Sequence, residues 1–222
     1  MRPDGIIFDF DGVIVDTEPL HHRAFQTVLE PMGLGFSWRE YQDIFMGFDD
    51  RDAFREAFKR HNRPLSEQEL HRLIACKAES FDKIVADGVQ PYPGVLELIA
   101  QAGASAIPLA ICSGALLSDI KPILAQLDIA DCFQVIVTAD DVAQSKPDPT
   151  CYQLADASLR ERAGLRADHL LCAIEDTPAG IQAAQGAGLR VIGVTNSYPA
   201  ATIKAADRVV SSLTTLLDGP WF

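Results

Sequence analysis

Two aspartates follow an apolar run in the stretch IIFDFDGVIVDTE, residues 6–18. Side chains alternate along a β-strand, so Asp9 and Asp11 point the same way if the chain stays extended. Two carboxylates that close repel each other and raise each other's pKa unless a cation lies between them. A hard divalent cation such as Mg²⁺ fits this position, because it takes oxygen ligands. The alternative is that both carboxylates accept hydrogen bonds from the turn that begins at Gly12.

The composition restricts the class of protein. A chain of 222 residues is long for one compact domain and suits one domain with an insertion. The net charge of −12 disfavours nucleic acid and anionic membranes as partners. No apolar run reaches the roughly 18 residues of a membrane span, and we expect no signal peptide. The five cysteines form no C-x-x-C pair, so we expect reduced thiols and a cytoplasmic location. The sequence does not show the oligomeric state, and a monomer is the default expectation.

Two parts of the chain alternate short β-rich runs with helical patterns, namely residues 5–12 and 92–222. The predicted strands cover residues 6–10, 107–112, 135–138, 170–174, 191–194 and 208–210. Helical patterns between them cover residues 95–102, 116–127, 150–163 and 179–187. Strands that are apolar throughout and separated by helices indicate an α/β fold, with a parallel sheet covered on both faces.

Residues 17–90 differ from the rest, because they contain helical patterns only. The segments SWRE (37–40) and SEQE (66–69) match the capping box that begins a helix, and we expect about four helices here. We therefore predict a core domain of residues 1–16 and 91–222, with an inserted helical cap domain of residues 17–90. Ligands of open α/β sheets bind beyond the carboxyl ends of the strands, so the insertion is placed to cover the site.

Polar residues follow four of the predicted strands at the same edge of the sheet. After Asp9 and Asp11 come Ser113 with Gly114, then Lys146, and then Glu175 with Asp176. Each group also fits an ordinary role, such as a helix N-cap for Ser113, a solvated surface lysine, or compensation of a helix dipole by the acids. Together they provide a nucleophile, a proton donor, a phosphate-binding group and metal ligands.

These motifs resemble those of the haloacid dehalogenase superfamily over the whole chain. The resemblance rests on DFDGVIVDT (9–17), ICSGA (111–115), SKPDP (145–149) and IEDTPAGIQAA (174–184), in the family's order and spacing. It implies a Rossmann-like parallel sheet with an inserted helical cap, in the branch of β-phosphoglucomutase and phosphoglycolate phosphatase. It also implies a Mg²⁺-dependent phosphatase that acts on a small phosphorylated metabolite.

The resemblance assigns roles to individual residues. Asp9 is the nucleophile that forms an aspartyl-phosphate, and Asp11 is the general acid and base. We expect repulsion from Asp9 to favour a proton on Asp11 once a metal fixes Asp9 as the anion. Ser113 and Lys146 hold the phosphoryl oxygens. The implied metal ligands are Asp9, the carbonyl of Asp11, Glu175 and Asp176; the implied substrate-binding residues are Gly12, His21, Met46, Gly47, Ser113, Gly114 and Lys146.

The cap loop FMGFDDRD (45–52) departs from the mutases of this branch. Met46 stands where they carry a lysine and Asp50 where they carry an arginine, which weakens a mutase assignment. Met46 and Phe48 indicate a less charged leaving group. Whether the neighbouring Arg51 points inward is open, and so is a catalytic role for His21. The alternatives to a phosphatase are a β-phosphoglucomutase-like sugar-phosphate mutase and a binding protein that has lost turnover. Retention of Asp9, Lys146 and Asp176 argues against the latter.

Overall fold

The computed structural model describes residues 2–46 and 48–222. Six parallel strands form one sheet in the order β3-β2-β1-β4-β5-β6. Their bounds are β1 Gly5–Phe8, β2 Leu109–Cys112, β3 Val135–Val137, β4 Leu171–Glu175, β5 Arg190–Val194 and β6 Arg208–Val210. The four central strands, β2, β1, β4 and β5, consist almost entirely of buried residues, as expected for a parallel sheet covered on both faces.

Helices cover the two faces of this sheet. They are α5 Val95–Ala104, α6 Leu117–Gln126, α7 Thr150–Ala163, α8 Pro178–Gly186 and α9 Thr214–Asp218. Ile6 and Phe8 of β1 pack in one apolar cluster with α5, α6 and α9. Ile7, between them, packs in a second cluster with α7 and α8. The alternation of side chains along β1 therefore divides the core into two apolar layers.

Four α-helices and a short π-helix lie between β1 and α5. They are α1 Glu18–Leu29, α2 Trp38–Glu40, the π-helix Tyr41–Phe45, α3 Asp50–Arg60 and α4 Glu67–Val85. A third apolar cluster, which includes Phe25, Phe45 and Phe54, belongs to the inserted segment and is separate from the two sheet clusters. Ala24 of α1 and the C-terminal part of α4, through Phe81 and Ile84, join the sheet cluster instead. The inserted segment thus has its own apolar core and also packs against the sheet.

One local prediction requires correction. β1 ends at Phe8, and the chain then turns, so the carboxylates of Asp9 and Asp11 do not share a strand face. The helix after β3 covers Thr150–Ala163, as predicted, with Pro149 as its N-cap residue. The carboxylate of Asp148 accepts a hydrogen bond from the Thr150 amide and stabilises this helix start. At residues 37–40 the capping box forms as predicted.

The described part of the chain has no helix long and apolar enough to cross a membrane. All five cysteines are free thiols, of which Cys112, Cys151 and Cys172 are buried.

Gly94 lies where α5 begins and packs against the backbone that precedes α9. Its φ of +89° is left-handed, and a Cβ atom here would lie 2.4 Å from the Thr214 amide nitrogen. We expect Gly94→Ala to lower the free energy of unfolding by at least about 3 kcal/mol.

Gly33 provides the matched control for this prediction. Its φ is +69°, but a Cβ atom here would have no neighbour within 4 Å. Gly33→Ala therefore isolates the backbone strain, about 1 kcal/mol. The measurement is urea unfolding of both variants, and equal losses would contradict the packing argument.

Candidate active site

The carboxyl ends of four neighbouring strands bring their polar residues together. Asp9 follows β1, Ser113 follows β2, Lys146 lies in the loop after β3, and Glu175 ends β4. The sheet order places these strands side by side. Ser113 is anchored by its amide, which donates to the carbonyl of Val137 at 2.9 Å. One edge of the sheet thus carries the residues that the sequence motifs single out.

Lys146 is the centre of this arrangement. Its Nζ donates to Asp9 Oδ1 at 2.9 Å and to Glu175 Oε1 at 2.7 Å. It also donates to the carbonyl of Cys112 at 3.0 Å. Tyr152, buried on α7, donates its hydroxyl to the same Glu175 oxygen at 2.8 Å. These contacts fix the lysine between two carboxylates, where its charge is compensated.

Glu175 and Asp176 are almost completely buried. The second oxygen of Glu175 accepts hydrogen bonds from the Asp176 amide and from the amide and hydroxyl of Thr177. Asp176 Oδ1 is buried and has no hydrogen-bond partner within the described residues. Gly12, with a φ of +80°, allows this close packing, since a Cβ atom there would lie 2.0 Å from Asp176 Oδ2.

A divalent metal ion fits this cluster. Asp9, Glu175 and Asp176 each offer a carboxylate oxygen, and these oxygens lie within 4.8 Å of one another. The unpartnered oxygen of Asp176 supports a metal site independently of these distances, because a buried carboxylate oxygen requires a hydrogen-bond donor or a cation. Oxygen ligands of this kind suit a hard cation such as Mg²⁺.

The pKa values show the cost of placing these carboxylates together. Burial raises the pKa of Asp9 well above its usual value, repulsion from Glu175 adds to the effect, and Lys146 opposes it. Burial also raises the pKa of Asp176, followed by repulsion from Asp9 and Glu175. Burial alone would lower the pKa of Lys146, but Asp9 and Glu175 raise it well above its usual value. One lysine therefore does not compensate all three acids.

Asp11 has different surroundings. Its Oδ1 accepts a hydrogen bond from the Thr17 hydroxyl and lies 3.5 Å from His21 Nε2. Burial would raise the pKa of Asp11, but the hydrogen bond and charge of His21, with help from Thr17, lower it. His21 and Thr17 therefore influence this carboxyl more than the repulsion from Asp9 that we expected. The turn after β1 explains the difference, since it directs Asp11 towards α1.

A buried lysine of α4 completes the contacts of His21. Lys77 Nζ lies 2.9 Å from His21 Nδ1, and the lysine side chain is fully buried. The same Nζ lies 3.0 Å from Asp50 Oδ1 and 3.4 Å from Asp119 Oδ2. Asp119 belongs to α6, so Lys77 forms an ion pair between the inserted helices and a helix of the sheet domain.

A cavity of about 350 Å³ lies between the sheet edge and the inserted helices. Its walls include five of the predicted catalytic, metal-binding or substrate-binding residues, which are Asp9, Asp11, His21, Gly114 and Lys146. Of the others, Ser113 is buried, and its hydroxyl accepts from the Ala115 amide at 3.0 Å. Met46 packs against the apolar core of the inserted helices. Gly47 lies outside the described residues.

Arg51 lines the cavity, which answers the question that the sequence left open. Its guanidinium donates to Asp49 Oδ2 through Nε at 3.1 Å and Nη2 at 2.7 Å. The same carboxylate oxygen accepts from Ser145 Oγ at 2.8 Å, so Asp49 connects the inserted segment to the loop that carries Lys146.

Sequence reasoning missed Lys77, Asp119 and Tyr152. A signal for Lys77 was present, because it falls on the apolar stripe formed by Leu70, Leu73, Phe81 and Ile84 of α4. A lysine at such a position is either buried with acidic partners or breaks the stripe. The acids that pair with it come from distant parts of the chain, and no local pattern identifies them.

The fold and the site are those of an α/β protein whose buried carboxylates lie at the sheet edge beneath inserted helices. Residues 6–194 match the family model described as haloacid dehalogenase-like hydrolase. The chain is also 32% identical to Protein CbbY of Cereibacter sphaeroides over 227 residues, which cover 96% of this chain and 94% of that protein. It therefore belongs to the haloacid dehalogenase-like hydrolases, as the motifs predicted.

The chain also resembles a second enzyme in sequence and a solved structure in fold. Phosphoglycolate phosphatase of Yersinia pseudotuberculosis is 32% identical over 203 residues, which cover 87% of this chain and 82% of that enzyme. The crystal structure of a CbbY variant from Rhodobacter sphaeroides in complex with xylulose 1,5-bisphosphate superposes with a TM-score of 0.84. It shares 28% sequence identity, and the match covers 97% of this chain and 96% of that one. The prediction of a phosphoric monoester hydrolase agrees with these relatives.

The carboxylate cluster generates a prediction for metal binding. A carboxyl whose pKa is higher in the folded than in the unfolded protein costs folding free energy at every pH above its unfolded pKa, here about 3.8. Asp176→Asn removes this cost, so we expect it to stabilise the metal-free protein at neutral pH. The gain shrinks as the pH falls towards 4.

With Mg²⁺ present we expect the opposite: the Asp176 carboxylate should then increase the stability of the folded protein. At a free concentration about 100 times Kd the metal ion stabilises the unchanged protein by about 2.7 kcal/mol, whereas Asp176→Asn loses most of this increment. Thermal unfolding with and without Mg²⁺ measures both effects, and the exposed Asp131→Asn serves as the control for loss of charge. Equal Mg²⁺ stabilisation in both variants would remove Asp176 from the metal site.

Proposed function

We propose that this protein is a Mg²⁺-dependent phosphatase that hydrolyses a small phosphomonoester through an aspartyl-phosphate on Asp9. The observation that carries the proposal is the position of the Asp9 carboxylate, which lines the cavity while Lys146 holds one of its oxygens at 2.9 Å. A carboxylate fixed in this way presents its other oxygen for attack. The phosphatase named among the relatives supports the same chemistry.

In the first step, a carboxylate oxygen of Asp9 attacks phosphorus, and the bond between phosphorus and the leaving oxygen breaks. Asp11 gives its proton to that oxygen, and the alcohol departs. Attack by an anion on a phosphate dianion requires positive charge around the phosphoryl oxygens. Lys146 provides such a charge, and the raised pKa keeps it protonated.

In the second step, Asp11 takes a proton from water as the water attacks phosphorus. The bond to Asp9 breaks, and inorganic phosphate leaves. The lowered pKa of Asp11 keeps its carboxyl deprotonated in the absence of substrate, which is the form that a base requires. Its role as an acid needs a higher proton affinity, which the approaching phosphate dianion provides as a neighbouring negative charge. His21, 3.5 Å from Asp11, positions the carboxyl for both roles.

Asp9, Glu175 and Asp176 would hold the metal, with the carbonyl of Asp11 as a further ligand. When bound, Mg²⁺ would neutralise charge on the carboxylates and on the phosphoryl group. Glu175 also orients Lys146 through their 2.7 Å contact. Ser113 and Gly114, at the end of β2, would receive the phosphoryl oxygens.

We further propose that residues 17–90 act as a cap domain over residues 1–16 and 91–222. The separate apolar core of the inserted helices supports this division. Asp16 and Thr17 lie where the chain enters α1 and would serve as one hinge. The free state of all five thiols supports a reducing, cytoplasmic location. The monomeric state stays a prediction.

A β-phosphoglucomutase-like mutase is the alternative function. A mutase must hold a second phosphate, which needs a cation in the cap. Met46 is apolar, and the acidic Asp50 contacts Lys77 at 3.0 Å. Because Asp50 is paired with this cap lysine, the lysine is not free for a second phosphate, which favours the phosphatase over the mutase.

Asp9→Asn tests the nucleophile. We expect it to lower kcat for p-nitrophenyl phosphate with Mg²⁺ by at least about a thousandfold, because the amide cannot form the phosphoenzyme. Asp131→Asn, an exposed acid outside the cavity, should retain the activity of the unchanged protein. Equal turnover by Asp9→Asn and the unchanged protein would refute the proposal.

The reaction products distinguish the phosphatase from the mutase. With a β-sugar phosphate and a bisphosphate primer, we expect one inorganic phosphate for each molecule of free sugar and no isomerised sugar phosphate. Phosphorus NMR follows both products in one sample. Accumulation of the isomerised phosphate would instead establish the mutase.

A further inference from the structure

Much of the cavity wall beyond the predicted site residues is acidic. We call this part of the wall the outer cavity and define it by the lining residues Glu18, Tyr41, Phe48, Asp49, Asp50, Arg51, Asp119 and Asp140. Five of these are acids, and Arg51 is the one cation. If the protein is a phosphatase of the kind proposed above, the leaving alcohol of the substrate occupies this space.

Arg51 does not leave a free positive charge in the outer cavity. Two of its guanidinium nitrogens donate to Asp49, whose side chain is only 5% exposed. Ser145 holds the same carboxylate from the opposite side at 2.8 Å. A substrate anion that approached Arg51 would also meet the negative charge of Asp49, so the pair attracts an anion less than a lone arginine would.

The positive charge of Lys77, which lies behind Asp50 and Asp119, is also neutralised by acidic partners. It lies between Asp50 at 3.0 Å and Asp119 at 3.4 Å, and its side chain is fully buried. Asp50 contributes a further acceptor, because its Oδ2 is buried without a hydrogen-bond partner in the described part of the chain. Two acids therefore surround one lysine, and the excess charge is negative.

The acids of the outer cavity outnumber the cations even if some of the carboxyl groups are protonated. Burial raises the pKa of Glu18 and of Asp119, which favours the protonated form of both carboxyls. Asp49, Asp50 and Asp140 then still face only two cations, Arg51 and Lys77. Asp140 is exposed to solvent in the cavity wall and is the most accessible of the three.

Aromatic rings complete the outer cavity. Tyr41 and Phe48 line it, and Phe48 is 45% exposed. The Tyr41 hydroxyl donates to Glu18, so the phenol group is fixed. Carboxylates beside the exposed ring of Phe48 form a favourable environment for an ammonium group and an unfavourable one for an anion.

We propose that the outer cavity selects phosphomonoesters whose alcohol carries an ammonium group, and that it rejects those whose alcohol carries a carboxylate or a second phosphate. This proposal rests on the phosphatase function proposed above and names its substrate class. It separates this chain from relatives whose names or bound ligands contain phosphoglycolate and xylulose bisphosphate. Asp50 and Asp140 are its specificity-determining residues.

Three two-carbon phosphomonoesters test the proposal at constant size. O-phosphoethanolamine carries an ammonium group, ethylene glycol monophosphate is neutral at that end, and phosphoglycolate carries a carboxylate. We expect kcat/KM to fall in this order by at least about tenfold at each step. The differences should shrink at high salt. Equal values, or a preference for phosphoglycolate, would overturn the proposal.

Single substitutions test whether the acids of the outer cavity cause this substrate preference. Asp50→Asn and Asp140→Asn should each lower the kcat/KM ratio of phosphoethanolamine to phosphoglycolate by about tenfold, because each removes one negative charge from the outer cavity. Asp131→Asn removes an exposed charge elsewhere and should leave the ratio unchanged. If Asp50→Asn does not fold, Asp140→Asn alone decides. An unchanged ratio in every folded cavity variant would overturn the assignment.

The failure of this inference can be distinguished from the failure of the phosphatase proposal. Turnover of p-nitrophenyl phosphate that depends on Asp9, combined with a reversed order of the two-carbon esters, refutes the charge selection alone. Turnover that persists in Asp9→Asn refutes the phosphatase mechanism itself.

Discussion

Burial of three carboxylates at one sheet edge requires positive charge, and Lys146 is the group around which the rest is arranged. It contacts Asp9 and Glu175 but leaves Asp176 with an unpartnered oxygen. Three carboxylates and one lysine leave a net charge of −2, which one divalent metal ion would neutralise. The acids that oppose folding at this edge are the same groups that the proposed chemistry uses.

The need to compensate these buried charges explains the side-chain contacts in the loops after the strands. Lys146 must reach across the ends of β2 and β1, and contacts with the Cys112 carbonyl and Tyr152 fix it there. Glu175 must keep one oxygen for the lysine, so Thr177 and the Asp176 amide bind the other. Small changes in these loops would leave a buried charge unpaired, which is more costly than loss of an ordinary hydrogen bond.

The sequence predicted the sheet and most of the strand-end residues, because buried parallel strands are apolar throughout and their polar ends stand out. It did not predict that β1 stops at Phe8, since the period of a strand does not show where the chain turns. It did not predict the contacts of Lys77 either. His21 and Asp119 are 56 and 42 residues away in sequence, and only the packing of α1, α4 and α6 brings them together.

The two parts of the cavity wall offer a substrate different charges, and this difference would decide where each part of the substrate is recognised. At the sheet edge the acids exceed the available cations, so a metal ion would complete the proposed site and allow it to accept a phosphate. In the outer cavity Arg51 is paired with Asp49, and Lys77 behind it is paired with Asp50, so the wall offers a second anion no net positive charge. On this proposal the phosphoryl group is recognised at the sheet edge, and the outer cavity acts on the rest of the substrate by excluding negative charge.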